Sequence, residues 1–219
     1  KVNVRALLAG MRLEWIRPSV QPEIPQKKCI DFCAMLPMQV SNLIKDEFDF
    51  DYLRTLIIGG AELSPEIEKK LQNIKTSVFE TFGMAETCSH IALRRVNGTN
   101  PELSFTVLPE VKISADPRSC LVIEATYLPD KVITNDIVEL TGNKKFRWIG
   151  RIDNLINSGG FKISPEVVEK EIFNKTGFEL FLVGIPDTIL GFKPVLVTDQ
   201  CLSPEEKEIL HYLSNQKEE

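Results

Sequence analysis

The run Gly150-Arg151-Ile152-Asp153-Asn154-Leu155-Ile156-Asn157-Ser158-Gly159-Gly160-Phe161-Lys162-Ile163-Ser164-Pro165-Glu166-Val167-Val168-Glu169 is where the texture of the chain changes. Before it lie short β-rich runs broken by turn residues. Within it, a double glycine marks an exposed turn, which can line a narrow channel without side-chain obstruction. Its end is a helix start. Ser164 is placed to cap free backbone N–H groups, Pro165 needs no donor at the first helical position, and Glu166 favours the positive end of the helix dipole. Ile163 can staple onto Val168, and Val168 and Ile172 share one face. Beyond it, Leu180–Val183 and Val195–Thr198 read as strands, and Ser203-Pro204-Glu205 opens a last helix with Ile209, Leu210 and Leu213 as its apolar stripe. Strand, helix, strand, strand, helix predicts a small α+β domain over 151–219, with its boundary near 150–153.

Working back towards the start, residues 105–150 contain the runs Val111–Ile113, Cys120–Tyr127, Asp136–Leu140 and Phe146–Ile149, with no helical period between them. They predict an antiparallel sheet or small barrel. Residues up to about 104 read as an α/β layer. Leu56-Ile57-Ile58 stops at Gly59-Gly60 as a buried parallel strand does, and Thr76–Phe79 looks similar. Ser64-Pro65-Glu66 starts a helix with Ile67, Leu71 and Ile74 on one face. Phe32, Met35, Leu36, Val40, Leu43 and Ile44 predict an earlier helix, kinked at Pro37 or beginning near it. Residues 1–150 thus read as an α/β layer to about 104 followed by a β-rich portion.

Three further segments carry chemistry. Gly59, Gly60 and Ala61 follow a strand and precede a helix, where a flat ligand can approach the backbone closely. Thr81-Phe82-Gly83-Met84-Ala85-Glu86-Thr87 offers an aromatic ring for a base and an acid for Mg²⁺, a cation that takes a few carboxylates together with phosphate oxygens. Thr134-Asn135-Asp136 places a carboxylate able to accept from both hydroxyls of a ribose. Each alone also fits an ordinary turn, a core phenylalanine or a surface acid.

In this order and spacing the four segments resemble the adenylate-forming superfamily, which includes acyl-CoA synthetases, luciferases and peptide-synthetase adenylation domains. The likeness runs from about residue 53 to 198 and includes Gly184-Ile185-Pro186-Asp187 followed by Gly191. It implies an ATP-dependent acid ligase that uses Mg²⁺ and, as acyl acceptor, coenzyme A. The resemblance lays Gly59, Gly60 and Ala61 against the adenine of ATP or AMP, with Phe82 stacked on it and Gly83 beside it. Glu86 serves Mg²⁺ and Thr87 adjoins the phosphate-binding segment. Asp136 and Arg151 hold the ribose, Asp153 is the hinge, and Gly159 and Gly160 line the pantetheine tunnel. The pattern departs at Ala85, where Thr is usual, and at Asn135, where Gly is usual. The family's Ser/Thr/Gly-rich phosphate loop has no counterpart in residues 1–58, and no lysine near the carboxyl end matches its catalytic lysine. The resemblance therefore implies a portion of a longer enzyme, with little activity of its own.

The stretch after Glu86, Thr87-Cys88-Ser89-His90-Ile91-Ala92-Leu93-Arg94-Arg95, is similar to that of o-succinylbenzoate–CoA ligases of menaquinone synthesis. By that likeness Ser89 and His90 border the acid substrate; the plainer reading is a strand with the arginine pair in solvent. Another aryl or acyl acid, transfer to a carrier protein, or a non-catalytic nucleotide-binding module remain alternatives. Net charge −5 and the absence of a Lys/Arg block exclude an electrostatic nucleic-acid track, and no apolar run approaches a membrane span. The partners expected are small molecules. Five irregularly spaced cysteines and two histidines make a zinc site poor chemistry and point to free thiols in a reducing cytoplasm. The chain begins at Lys1 without an initiator Met, which reads either as a start that was removed or as a portion of something longer.

Overall fold

The computed structural model describes residues 2–25 and 28–198. The fold is α/β with a large mixed sheet. Its elements, in chain order, are α1 (Val2–Leu8), β1 (Ile30–Met35), α2 (Pro37–Lys45), β2 (Leu53–Ile58), α3 (Pro65–Leu71), β3 (Ser77–Gly83), β4 (His90–Arg95), β5 (Phe105–Val107), β6 (Val111–Ala115), β7 (Cys120–Ala125), β8 (Val132–Gly142), β9 (Lys145–Arg151), β10 (Ile156–Ser158), β11 (Phe161–Ile163), α4 (Pro165–Thr176), β12 (Phe181–Asp187) and β13 (Gly191–Val197). The strands form a nine-stranded sheet, order β1-β2-β3-β4-β5-β9-β8-β7-β6, and a four-stranded sheet, order β11-β10-β13-β12. The described residues divide into two compact units, one within 2–114, 122–132 and 140–147, and the other within 115–121, 133–139 and 148–198.

The first unit is built on two strand–helix–strand crossovers. β1, β2 and β3 are parallel, with Met35 opposite Ile58 and Ile58 opposite Glu80. Val40, Leu56, Ile58, Leu71 and Val78 are fully buried in its core, and Ile67 and Ile74 pack against it. α3 starts as its sequence predicts: the Ser64 hydroxyl accepts from Ile67 N at 3.4 Å, and Pro65 is the first helical residue. The earlier helix is shorter than its apolar spacing suggests. Phe32 and Met35 lie in β1, and the helix begins at Pro37, because proline pre-sets the first helical φ and has no N–H to offer a ladder. A buried Asn97 ties this unit together. Its Oδ1 accepts from Val78 N at 3.0 Å, and its Nδ2 donates to Leu71 O at 3.1 Å and Thr76 O at 2.9 Å.

In the second unit β10 and β11 form a tight hairpin, Ser158 facing Phe161 across Gly159-Gly160. Both glycines have positive φ, 57° and 90°. A two-residue hairpin turn needs that left-handed backbone, so these glycines are conformationally required. β12 and β13 pair antiparallel from Phe181–Val197 to Asp187–Gly191. α4 covers this sheet through Ile172, Leu180, Val168 and Leu196. Ser164 caps differently from expectation: it makes no side-chain cap, and its hydroxyl donates to Glu166 Oε2 at 2.9 Å. The competing acceptor is the carboxylate two residues on. The last predicted helix, Ser203–Leu213, lies outside the described residues.

Candidate active site

In the first unit, parallel pairing of β2 with β3 sets the carboxyl ends of both strands side by side. Gly59-Gly60-Ala61 leaves one and Thr81-Phe82-Gly83 ends the other. The approach is close: a Cβ on Gly59 would strike the Thr81 hydroxyl. A side chain there would displace the Thr81 hydroxyl, so glycine leaves a bare backbone edge at the strand ends. Phe82 is half-buried, its ring 5.1 Å from Phe146 edge-on and 5.7 Å from Phe105. These two rings fix its orientation.

The turn after β3 is held by Thr87. Its buried hydroxyl donates towards Ser89 O at 2.8 Å and Met84 O at 3.1 Å and accepts from Met84 N at 3.2 Å. Glu86 is left exposed at the tip, and Cys88 follows with φ 62°. Among the described residues no group of three or more His, Cys, Asp or Glu could hold a metal ion. A single exposed carboxylate suits Mg²⁺ that arrives with phosphate oxygens and waters, and does not suit a resident metal cage. Gly83 pairs with His90 across the β3–β4 hairpin, and the Ser89 hydroxyl lies 3.5 Å from His90 Nδ1. Beside them a cavity of about 470 Å³ is lined by Thr87, Cys88, His90, Leu108, Glu110 and Tyr127, among others.

The strand reading of Ile91–Arg95 is what the structure has, but the arginines are not in solvent. Arg94 is buried, 7% exposed, between two carboxylates. Its Nε donates to Glu80, its Nη1 and Nη2 to Glu68 at 3.1 and 2.8 Å, and Nη1 also to Glu102 O at 3.3 Å. Glu80 also accepts from Leu63 N at 3.1 Å, so the cluster anchors the end of the loop that starts at Gly59. Burial pushes the Glu80 carboxyl up, against the lowering effect of Arg94. Burial opposes the charge on Arg94, but Glu68 and Glu80 outweigh it and hold the guanidinium ionised. Arg95 lies 5.4 Å over the Phe79 ring.

The second unit gathers the other predicted residues. Asp136 is buried, and its Oδ1 accepts from Trp148 Nε1 at 3.0 Å and lies 3.5 Å from Arg151 Nη1. Arg151 Nη2 donates to Asp153 Oδ2 at 2.8 Å. Asp153, in a short 3₁₀ turn at Ile152–Asn154, also accepts from Asn135 Nδ2 at 3.1 and 3.2 Å. The bonds from Arg151 and then Asn135 hold its carboxyl below the ordinary range. Two glutamates complete the frame. Glu166 accepts from Asn154 Nδ2 at 2.8 Å and Arg151 N at 3.4 Å, and Glu169 accepts from Leu182 N at 2.7 Å. Gly159 and Gly160 sit apart from this network, at the hairpin tip. Glu80, Arg94, Asn135, Trp148 and Glu166 were not singled out from sequence as site residues. The signals available were a charged residue inside β3, Glu80, and the departure from the resembled pattern at Asn135.

No family model matches the chain. Among curated proteins it is similar to 2-succinylbenzoate–CoA ligases: that of Escherichia coli is 26% identical over 212 residues, 89% of this chain and 46% of the relative. That of a Staphylococcus epidermidis strain is 28% identical over 189 residues, 74% of this chain and 40% of the relative. The chain therefore spans less than half the length of these curated relatives. Among solved structures, an acyl-CoA synthetase (AMP-forming)/AMP-acid ligase II-like protein from Dyadobacter fermentans is 31% identical with TM-score 0.62, covering 99% of this chain and 65% of that one. ATP-bound MatB from Rhodopseudomonas palustris shares the fold at TM-score 0.68 and 21% identity, over 85% of this chain and 44% of that one. With its motifs in the order of the resemblance, the chain is similar in sequence and in fold to AMP-forming acid–CoA ligases.

Proposed function

We propose that this chain is the nucleotide-recognising and hinge-bearing portion of an ATP-dependent acid–CoA ligase, with o-succinylbenzoate as the acid. In the proposed reaction the substrate carboxylate attacks the α-phosphate of ATP, giving an acyl-adenylate and diphosphate. The thiol of coenzyme A then attacks the acyl carbon and releases AMP. No enzyme nucleophile is needed, so Cys88 stays outside the chemistry. Residues 1–150 are read as part of the large adenylating domain, including its β-rich portion, and 151–219 as the small α+β domain that swings about Asp153. The four free cysteines among the described residues suit a reducing cytoplasm.

The observation that carries the proposal is the pairing of the Gly59 turn with Thr81-Phe82-Gly83 at the ends of adjacent parallel strands. Ligands of open α/β sheets bind outside those ends, where bare backbone and a fixed aromatic ring accept a flat base. Asp136, kept in place by Trp148 and Arg151, is the proposed ribose acceptor. Glu86 would give Mg²⁺ one carboxylate, and the metal's chemistry is to offset phosphate charge. The cavity beside His90 and Ser89 is assigned to the acid, and coenzyme A to the Gly159-Gly160 side. These assignments rest on the resemblance together with the placements given above.

The test has two parts. AMP titrated into the 219-residue chain is expected to bind weakly, and Asp136→Asn or Phe82→Ala to weaken it about tenfold; equal binding by all three proteins sinks the assignment. In a longer form that carries a phosphate loop, ATP–diphosphate exchange is expected to depend on o-succinylbenzoate and to fall in Glu86→Ala. Exchange that requires a different acid overturns the substrate.

A further inference from the structure

The sequence departs from the family pattern at Asn135, and the structure shows that side chain engaged. Its Oδ1 accepts from Arg118 Nη1 at 3.2 Å, while its Nδ2 donates to both carboxylate oxygens of Asp153, at 3.1 and 3.2 Å. The orientation of the amide follows from chemistry. A guanidinium only donates and an ionised carboxylate only accepts, so a group between them must accept on one side and donate on the other. An amide does this; glycine has no side chain, and aspartate would repel the acid. Arg118 is itself held by Asp116, Oδ2 accepting from its Nε at 2.8 Å, and donates to Thr134 O at 3.2 Å. The result is a chain of contacts, Asp116–Arg118–Asn135–Asp153–Arg151–Asp136, in which every acid faces a donor.

We propose that Asn135 is a positioning residue, a latch that holds Asp153 in the orientation in which Arg151 lies against Asp136. The inference rests on the hinge reading of Asp153. The backbone of Ile152–Asn154 cannot turn far without breaking both bonds from Asn135, since Asn135 sits in β8 and Asp153 in the 3₁₀ turn. Glu166 binds the same turn from the other side, through Asn154 and Arg151 N. Arg151 holds the same carboxylate from two residues away and also lies against Asp136, so Asn135 and Arg151 share Asp153 between them. The groups facing Asp153 are Arg151, Asn135 and, beyond it, Arg118. Because Asp153 is exposed, its bonds compete with water and the latch is weak enough to open.

The experiment uses the full 219-residue chain. Hydrogen exchange over residues 151–158 is measured for wild type, Asn135→Gly and Asn135→Asp. The glycine variant is expected to speed exchange there about threefold to tenfold, as loss of exposed charge-assisted bonds implies, and the aspartate variant more, with β2 and β3 unchanged. Unchanged exchange at 151–158 in both variants overturns the latch. Small-angle scattering of Asp153→Gly reads the hinge separately. A changed distance distribution supports the hinge; an unchanged one, with exchange still responsive at Asn135, overturns the hinge reading and with it the latch as a gate. A third variant, Arg118→Gln, is expected to reproduce the Asn135→Gly pattern in milder form. Wild-type exchange in Arg118→Gln counts against the contact chain.

Discussion

Arg94 illustrates how one residue can serve a site it does not line. It stands opposite Glu80 across the β3–β4 hairpin and reaches Glu68 at the first turn of α3. Through Glu80 it fixes Leu63, four residues past Gly59. Two acids brought this close in low dielectric need the cation between them, and removing it leaves uncompensated charge. Arg94→Met is therefore expected to destabilise the first unit by about 3–5 kcal/mol, read by urea unfolding. Adding Glu80→Gln should recover part of the loss, since the two sites are in contact and couple. Additive losses in the double variant would show that the pair does not act as a unit.

At the scale of the element, the β12–β13 hairpin is closed by an acid at its turn. Asp187 Oδ1 accepts from Ile189 N and Leu190 N, both at 2.8 Å. The bonds from Leu190 and Ile189 hold its carboxyl below the ordinary range. The sign follows. Below the unfolded-state value, near 3.9, the unfolded chain binds the proton more readily than the folded one, so stability rises with pH across that window. The contribution is present above it and lost as pH falls through the folded-state value. Asp187→Asn keeps an acceptor but does not titrate. Its acid unfolding below about pH 4 is expected to be flatter than wild type for the β12–β13 amides; parallel curves would assign the acid sensitivity elsewhere. α2 shows the opposite kind of control, in which a single proline sets where the element starts.

For the whole molecule, the division into two compact units has a direct consequence. Leu56 is fully buried in the core of the first unit, between α2, α3 and the parallel strands. Leu56→Ala is expected to cost that unit about 3 kcal/mol through lost transfer energy and a residual cavity. Ile172 and Leu180 form a separate core under α4. Hydrogen exchange should therefore show faster opening of β1–β3 in Leu56→Ala, with α4 and β12 unchanged. A uniform loss of protection across both cores would mean that they unfold as one.

Much of this was legible in the chain itself. Gly-Gly after an apolar run, Ser-Pro-Glu at a helix start and Gly-Gly at a hairpin each meet a local requirement of backbone sterics or of unpaired N–H groups, and such requirements are written where they act. The start of α3 and the turns at Gly59-Gly60 and Gly159-Gly160 follow from them, whereas the strands of 105–151, read as a separate antiparallel sheet or small barrel, continue the same nine-stranded sheet as β1–β4. What depended on register did not follow. That Arg94 is buried against Glu80 and Glu68, and that Asn97 reaches the carbonyls of Leu71, Ile74 and Thr76, are set by pairings 14 to 26 residues apart whose partners are named only once strands align. The same holds for Asn135. In sequence it is a departure beside a proposed ribose acid; folding places it between a guanidinium and a carboxylate, and that geometry alone assigns it a role.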